Sequence, residues 1–296
     1  MIIAVTGANG LIGRELVPFL KNLGHQVLII TSSHSSNFAK NVFSYSDFLD
    51  NNISYKVDLF IHLASINSKL TAKQIKDEIH ITETVLSGLP LLNCKNLIFF
   101  STSKVYGDNS LDLNCFKESS PLNPICYYGQ AKRMCEDLIR KKSLNGDLNA
   151  LIFRMPPVLN KSEASNIGKL INLSKTGIPI ISIAQGNFNQ RSFISLNNIR
   201  VVIKSILANP KVFQTNETYN LSDDRAISLN ELLSISGGKK IYSLPAFLGK
   251  FLLYVPFVNR ILVKLFGNFV LDNSKLKSEM GVKLKSTAQL LKIENQ

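Results

Sequence analysis

Four cysteines stand in this chain of 296 residues, Cys94, Cys115, Cys126 and Cys135, with no CxxC pair and no companion histidines at ligand spacing. Neither a metal site nor a disulfide framework is indicated, so the thiols read as reduced and no metal is expected. Internal repeats and low-complexity tracts are absent. So is a run of ~18 uncharged apolar residues: the most apolar stretch, residues 244–271, is interrupted by Lys250, Arg260 and Lys264 and does not read as a spanning helix. Its spaced cations among Phe, Leu and Val would suit peripheral contact with a membrane surface, but Pro245, Pro256 and Gly267 break any long amphipathic face. Helices buried in a lobe are the better reading. Met1 to Val5 are apolar and run straight into a glycine turn without a positive n-region or cleavage site, so a cytoplasmic protein is expected. Acidic residues are scarce, 21 against 34 Lys and Arg, for a net charge of +13. That excess alone would suit nucleic acid, but no basic stripe stands out. The densest run, Arg140-Lys141-Lys142, closes a helix before Asn145-Gly146, where cations complement the helix dipole. No nucleic-acid partner is expected.

What is present is an alternation of short apolar runs with helical patterns. Ile2 to Val5, Val27 to Ile30, Val57 to Leu63, Leu97 to Phe100 and Ala150 to Phe153 read as strands. Between the first two, Leu16, Leu20 and Leu23 repeat at helical spacing and Gly24 stands where a helix-ending glycine belongs. Pro18 predicts a kink or a locally open turn there. The fold class is therefore α/β: a Rossmann-like doubly wound parallel sheet in residues 1–156, followed by a smaller C-terminal substrate-binding lobe in 157–296. That lobe loosens into loops at Gly168, Gly177-Ile178-Pro179 and Gly186. It returns one strand, Thr218 to Leu221, from about residues 193–222 to the sheet.

Thr6-Gly7-Ala8-Asn9-Gly10-Leu11-Ile12-Gly13 follows the first strand and opens the first helix, the context a dinucleotide fingerprint requires. Gly7, Gly10 and Gly13 permit the tight turn. The N–H groups from Asn9 through Leu11 and Ile12, at a helix N-terminus, are then presented to a pyrophosphate. NAD-selective binders usually end the second strand in an acid that holds the ribose hydroxyls; here the chain reads Thr31-Ser32-Ser33-His34, with no carboxylate. Thr31 and Ser32 leave room for a 2′-phosphate, and Arg14 stands directly after the turn to pair with it. NADP is favoured over NAD.

Of the eight tyrosines only Tyr128 has a lysine four residues on, Lys132. On a helix from Tyr128 to Arg140 the two side chains share a face one turn apart. At ~5 Å and an effective dielectric of ~20, the ammonium stabilises a phenolate by roughly 3 kcal/mol. Such a tyrosine can serve as general base and acid. Upstream, Ser101-Thr102-Ser103 leaves a buried strand at its carboxyl end, where open α/β sheets bind ligands, which makes Thr102 a donor to a substrate oxygen.

With these motifs in order, the chain resembles an extended short-chain dehydrogenase/reductase of the nucleotide-sugar epimerase, dehydratase and ketoreductase group. The matching elements are TGxxGxxG at Thr6 to Gly13, the strand Asp58 to Ala64, the Ser101 to Gly107 segment and YxxxK. The match continues through Asn189 to Phe193, Thr218 to Ser222 and Leu271 to Lys275, so it covers nearly the whole chain. The resemblance implies that Tyr128 is the acid/base and that Lys132 supports it and holds the nicotinamide ribose. It implies that Leu63, Ala64 and Ser65 line the cofactor, that Thr102 and Ser103 meet the substrate, and that Arg191 contacts the diphosphate of a UDP-linked sugar. It further implies a homodimer and a place in surface-polysaccharide precursor synthesis. Two departures are visible. Dehydratase members carry an acidic pair after the threonine, whereas Ser103 and Lys104 stand here, so 4,6-dehydration is not expected. His80 stands where the family often has asparagine. A 4-ketoreductase is the first reading, a 4-epimerase the second, and a non-catalytic NAD(P)-binding protein the third.

Overall fold

A computed structural model describes residues 1–32, 40–66, 69–108, 115–159, 166–176, 180–183, 189–238, 241–244 and 267–294. Ser33 and His34, the glycines at 177 and 186, and the cations and prolines of residues 245–266 lie outside the described residues. The chain divides into two compact units, one of Met1–Gly107, Leu122–Arg154 and Ile203–Tyr219, the other of Asp108–Pro121, Met155–Val202 and Asn220–Gln296.

The first unit is built on a seven-stranded sheet. In chain order its strands are β1 (Ile2–Thr6), β2 (Gln26–Thr31), β3 (Val42–Ser44), β4 (Leu59–His62) and β5 (Asn96–Thr102). Two later ones, β7 (Asn149–Met155) and β10 (Thr218–Asn220), follow a short β6 (Cys115–Phe116) that lies outside this sheet. The spatial order is β10-β7-β5-β4-β1-β2-β3, and the pairs from β3 through β5 are parallel. Strands covered on both faces need apolar residues at every position rather than every second one. Ile3 to Val5, Val27 to Ile30 and Leu59 to Ile61 are accordingly all buried. The returning strand joins the edge beside β7, where the Ile152 N–H donates to the Glu217 carbonyl at 3.0 Å.

Helices α1 (Leu11–Asn22), α2 (Tyr45–Leu49), α3 (Ile75–Gly88) and α4 (Tyr127–Leu144) pack on this sheet. Helix α1 buries Gly13, Leu16, Val17 and Leu20, a stripe at helical spacing, and ends before Gly24 at φ +83°. Pro18 sits inside a continuous helix with its ring on the exposed side. Helix α4 begins at Cys126, whose sulfur accepts from the Gly129 N–H, and carries Lys141 and Lys142 in its last turn. The core between α3, α4 and the sheet gathers Phe48, Phe60, Val85, Phe99, Cys135 and Ile139. Chain order runs outward from β1 through β2 to β3, then resumes on the other side of β1 with β4. A crevice at the carboxyl ends of β1 and β4 follows from that reversal.

Among its described residues the second unit holds three small two-stranded pairings: β6 with β13 (Val270–Leu271), β8 (Ile180–Ile183) with β12 (Ile241–Leu244), and β9 (Gln190–Arg191) with β11 (Ile227–Ser228). Its core joins Ile171, Phe193, Ile227, Leu232, Leu233 and Leu291. These come from α5 (Asn166–Lys175), α6 (Leu229–Ile235), the C-terminal helix Thr287–Glu294, β11 and the segment after β9. Asp223 is buried there and accepts from the Ser195 N–H, Asn198 Nδ2 and Thr287 Oγ1 at 2.7–2.9 Å. Burial pushes its carboxyl up, and those donors work against the push. Among the described residues no helix is long and apolar enough to cross a membrane.

Candidate active site

The glycine turn is set by backbone contact. Gly7 has φ +72°, and a Cβ there would lie 2.6 Å from the Ala64 nitrogen; a Cβ on Gly13 would lie 2.3 Å from the Gly7 oxygen. Only glycine lets the end of β1, the end of β4 and the start of α1 approach so closely. The Thr6 hydroxyl ties the same two strand ends, 2.8 Å from His62 Nδ1 and 3.3 Å from the Ala64 nitrogen, which donates to it. Helix α1 opens at Gly10 with no side-chain cap and no acid in its first turn. Its leading N–H groups are thus available to an anion such as a pyrophosphate. Beside them, Asn9 Oδ1 and Ser65 Oγ are buried atoms with no hydrogen-bond partner among the described residues. Such orphaned atoms carry a desolvation cost that a bound ligand's donors would remove. A free helix N-terminus, a cradle a Cβ would fill and unsatisfied polar atoms together fit a dinucleotide. At the end of β2, Thr31 is half-buried and Ser32 exposed, with no carboxylate, and Arg14 is exposed on α1.

The second cluster lies at the end of β5. Thr102 is nearly buried, and its hydroxyl accepts from the Lys104 N–H at 3.3 Å, capping the turn formed by Ser103 to Val105. A Cβ on Gly129 would lie 2.6 Å from the Lys104 carbonyl oxygen, so this glycine lets α4 press against the turn. Two ammonium groups lie near the ring of Tyr128, its neighbour. Lys132 Nζ is 5.9 Å from the ring centroid and Lys104 Nζ 5.8 Å. Lys132 is buried, with Phe99 presenting its ring 4.8 Å away. Burial works against its charge, yet the attraction of Tyr128 and Glu78 carries its pKa upward. Ser103 is buried and Lys104 exposed, so no carboxyl group follows Thr102.

A residue that sequence reasoning passed over completes the cluster. His80 faces solvent, 3.9 Å from Glu83, with its side chain 78% exposed. Glu78, two positions earlier, turns inward: Oε1 lies 2.9 Å from Lys132 Nζ and Oε2 accepts the Ile66 N–H at 2.8 Å. The position where the family often has asparagine thus lies on the exposed face of α3. The signal that finds Glu78 is helical register, since Glu78, Thr82 and Val85 form the buried stripe. His62 links the two clusters, its Nε2 3.2 Å from Thr82 Oγ1. Burial holds it well below the ordinary histidine range, and Lys132 adds to the shift. Tyr45, at the start of α2, has its phenol pushed up to about 12 by burial, with Thr6 opposing and Glu78 assisting.

Gly7, Asn9, Gly10, Leu11, Ile12, Gly13, Leu63, Ala64, Ser65, Thr102, Ser103, Tyr128 and Lys132 all belong to the first unit. Arg191 belongs to the second, on β9. It donates from Nε to Asn189 Oδ1 at 3.3 Å; burial works against its charge and Asp108 supports it.

The sequence model of the NAD dependent epimerase/dehydratase family matches residues 3–222. A UDP-glucose 4-epimerase of Vibrio cholerae is 24% identical over 97% of this chain and 92% of its own length. Among solved structures, a UDP-N-acetylglucosamine 4-epimerase from Bacillus cereus superposes with a TM-score of 0.74 at 21% identity, covering 99% of this chain and 97% of that one. A UDP-glucuronic acid 4-epimerase from Bacillus cereus in complex with NAD gives 0.71 at 19% identity, covering 99% and 94%. The doubly wound fold expected from the strand pattern is the fold these structures share.

Proposed function

Since the chain belongs to the NAD dependent epimerase/dehydratase family, we propose that it interconverts a UDP-sugar at C4, as a 4-epimerase. The observation that carries this reading is the placing of Tyr128 beside the Thr102 turn with Lys132 one helical turn away, Nζ 5.9 Å from the ring. Tyr128 takes the proton of the C4 hydroxyl as the C4 hydride departs and returns one when the hydride comes back. Thr102 orients the reacting oxygen. Lys132 supports the phenolate and holds the nicotinamide ribose. A dinucleotide would be held by Gly7 to Gly13, Asn9 and Ser65 and would supply the hydride acceptor and donor. Arg191 pairs with the substrate diphosphate, a task suited to a planar, permanently charged donor. No acid stands after Thr102 to expel a C6 hydroxyl, so dehydration is not part of the reading.

A 4-ketoreductase is the second reading, favoured by one observation: Thr31 and Ser32 end β2 without a ribose-binding acid, while Arg14 is exposed on α1. That arrangement suits NADPH, a cofactor consumed rather than recycled. One assay separates the readings. UDP-hexoses, UDP-N-acetylhexosamines and UDP-4-keto-sugars are incubated with the protein while nicotinamide absorbance and product stereochemistry are followed. Interconversion at C4 without net cofactor consumption supports the epimerase. Stoichiometric consumption supports the ketoreductase. A chain that binds the dinucleotide and transforms none of them is a non-catalytic binder, and both readings fall.

A further inference from the structure

We propose that Glu78 is a positioning residue for this reaction: its carboxylate fixes the Lys132 ammonium and offsets its charge, so that Tyr128 answers to the ion pair rather than to an isolated lysine. The inference rests on the reading of Tyr128 as acid and base.

The pair is enclosed. The Lys132 and Glu78 side chains are 2% and 1% exposed at a separation of 2.9 Å. The second carboxylate oxygen is engaged by the Ile66 N–H, in the segment that leaves β4 and carries Leu63, Ala64 and Ser65. Glu78 thus joins α4, which bears Tyr128 and Lys132, to the segment that borders the glycine turn. A buried ammonium in such a place needs an opposite charge in contact, because water is not there to solvate it.

The electrostatic consequence follows from geometry. Glu78 Oε1 is 2.9 Å from Lys132 Nζ, so it lies at most that much farther from any atom of Tyr128 than the ammonium does. Coulomb energy falls only as the inverse of distance, so the carboxylate cancels much of what the ammonium contributes at the phenol. The other groups around the cluster do not duplicate this. Lys104, whose Nζ is 5.8 Å from the Tyr128 ring centroid, is an exposed residue. His62 and Cys135 interact electrostatically with Lys132, and Tyr45 with Glu78. Glu78 is the carboxylate in contact with Lys132 among the described residues.

The test is a spectroscopic titration of Tyr128 that needs no substrate. Tyrosinate absorbance is followed against pH in the wild-type chain and in variants, each with its Tyr128→Phe counterpart subtracted. Glu78→Gln should bring the Tyr128 tyrosinate signal in at a lower pH, by about one unit or tenfold in proton affinity, because the phenolate then becomes the counter-charge of the buried Lys132 ammonium. Glu78→Asp keeps the charge and should stay near wild type. Should Glu78→Gln fail to fold, Lys132→Met and the double variant Glu78→Gln/Lys132→Met carry the test. Lys132→Met alone should delay the signal to higher pH, and adding Glu78→Gln should return it towards wild type. A Tyr128 signal at the same pH in wild type and Glu78→Gln, or in Lys132→Met and the double variant, overturns the proposal and leaves Glu78 a structural residue. A wild-type chain with no C4 turnover would sink the proposed function without touching this titration.

Discussion

Glu136 and Arg154 form a buried fork-to-fork ion pair, with Nε donating at 3.2 Å to either carboxylate oxygen and Nη2 donating at 2.8 Å to Oε2. The same carboxylate accepts from the Ser101 hydroxyl and from Arg140 Nη2, and Arg154 Nη1 donates to the Tyr106 hydroxyl. Helix α4 is thereby tied to β5 and β7 directly behind Thr102. Burial works against the Arg154 charge, but Glu136 outweighs it and carries the guanidinium pKa upward. Glu136→Ala, which strands Arg154, should lower unfolding free energy by about 3–5 kcal/mol in urea titration. Glu136→Leu with Arg154→Met removes both charges and should cost far less. A double variant as damaged as the single one would contradict this account.

Tyr128→Phe keeps the ring and its packing and removes the proton carrier. Turnover should fall by roughly 10²–10⁴ while dinucleotide affinity stays near wild type. Rapid-quench kinetics beside cofactor titration gives both numbers, and near-normal turnover would remove Tyr128 from the chemistry.

Gly7 and Gly24 share a left-handed backbone but not a neighbourhood. At Gly24, φ +83°, an added Cβ meets nothing within 4 Å; at Gly7 it meets the Ala64 nitrogen at 2.6 Å. Gly24→Ala should therefore cost only the conformational strain, about 1–2 kcal/mol. Gly7→Ala should cost more and abolish dinucleotide binding. Equal melting temperatures for the two variants would argue against the close approach of β1 and β4.

His62 makes stability depend on pH. Its folded value is depressed, so below about pH 6.5 the unfolded chain takes up a proton that the folded chain refuses. Stability should then decline by up to about 1.4 kcal/mol per pH unit as pH falls towards the folded value, and be unaffected by this group above about pH 6.5. His62→Gln can bond both threonines without titrating, so its thermal unfolding should be flatter over the same range. Parallel slopes for the two chains would exclude His62 as the source.

Arg14→Ala should weaken NADPH more than NADH if the exposed guanidinium meets a 2′-phosphate. Fluorescence titrations with both nucleotides measure this, and an equal loss for the two would remove Arg14 from cofactor selection.

What the sequence disclosed and what it hid divide along a physical line. Gly7, Gly10 and Gly13 are legible because a tight turn between strand and helix imposes a demand on neighbouring residues. Tyr128 and Lys132 are legible because one helical turn brings them together whatever surrounds the helix. Glu78 was not, because its meaning depends on which face of α3 meets α4, and that is decided by packing between segments more than fifty residues apart. The edge strand Val42–Ser44 escaped because it is short and half-buried, without the continuous apolar run of its neighbours.

The order in which the sheet is assembled constrains how the chain can be made. Strand β7, with Leu151, Ile152 and Phe153 along it, leaves the ribosome more than sixty residues before its partner β10. Until residues 218–220 arrive, an apolar strand edge stands open to other chains, the condition under which nascent sheets associate wrongly. A fragment stopping after β7 would keep that edge open permanently. The glycine turn, Tyr128 and Lys132 would all be present in it, yet it should aggregate rather than bind a nucleotide.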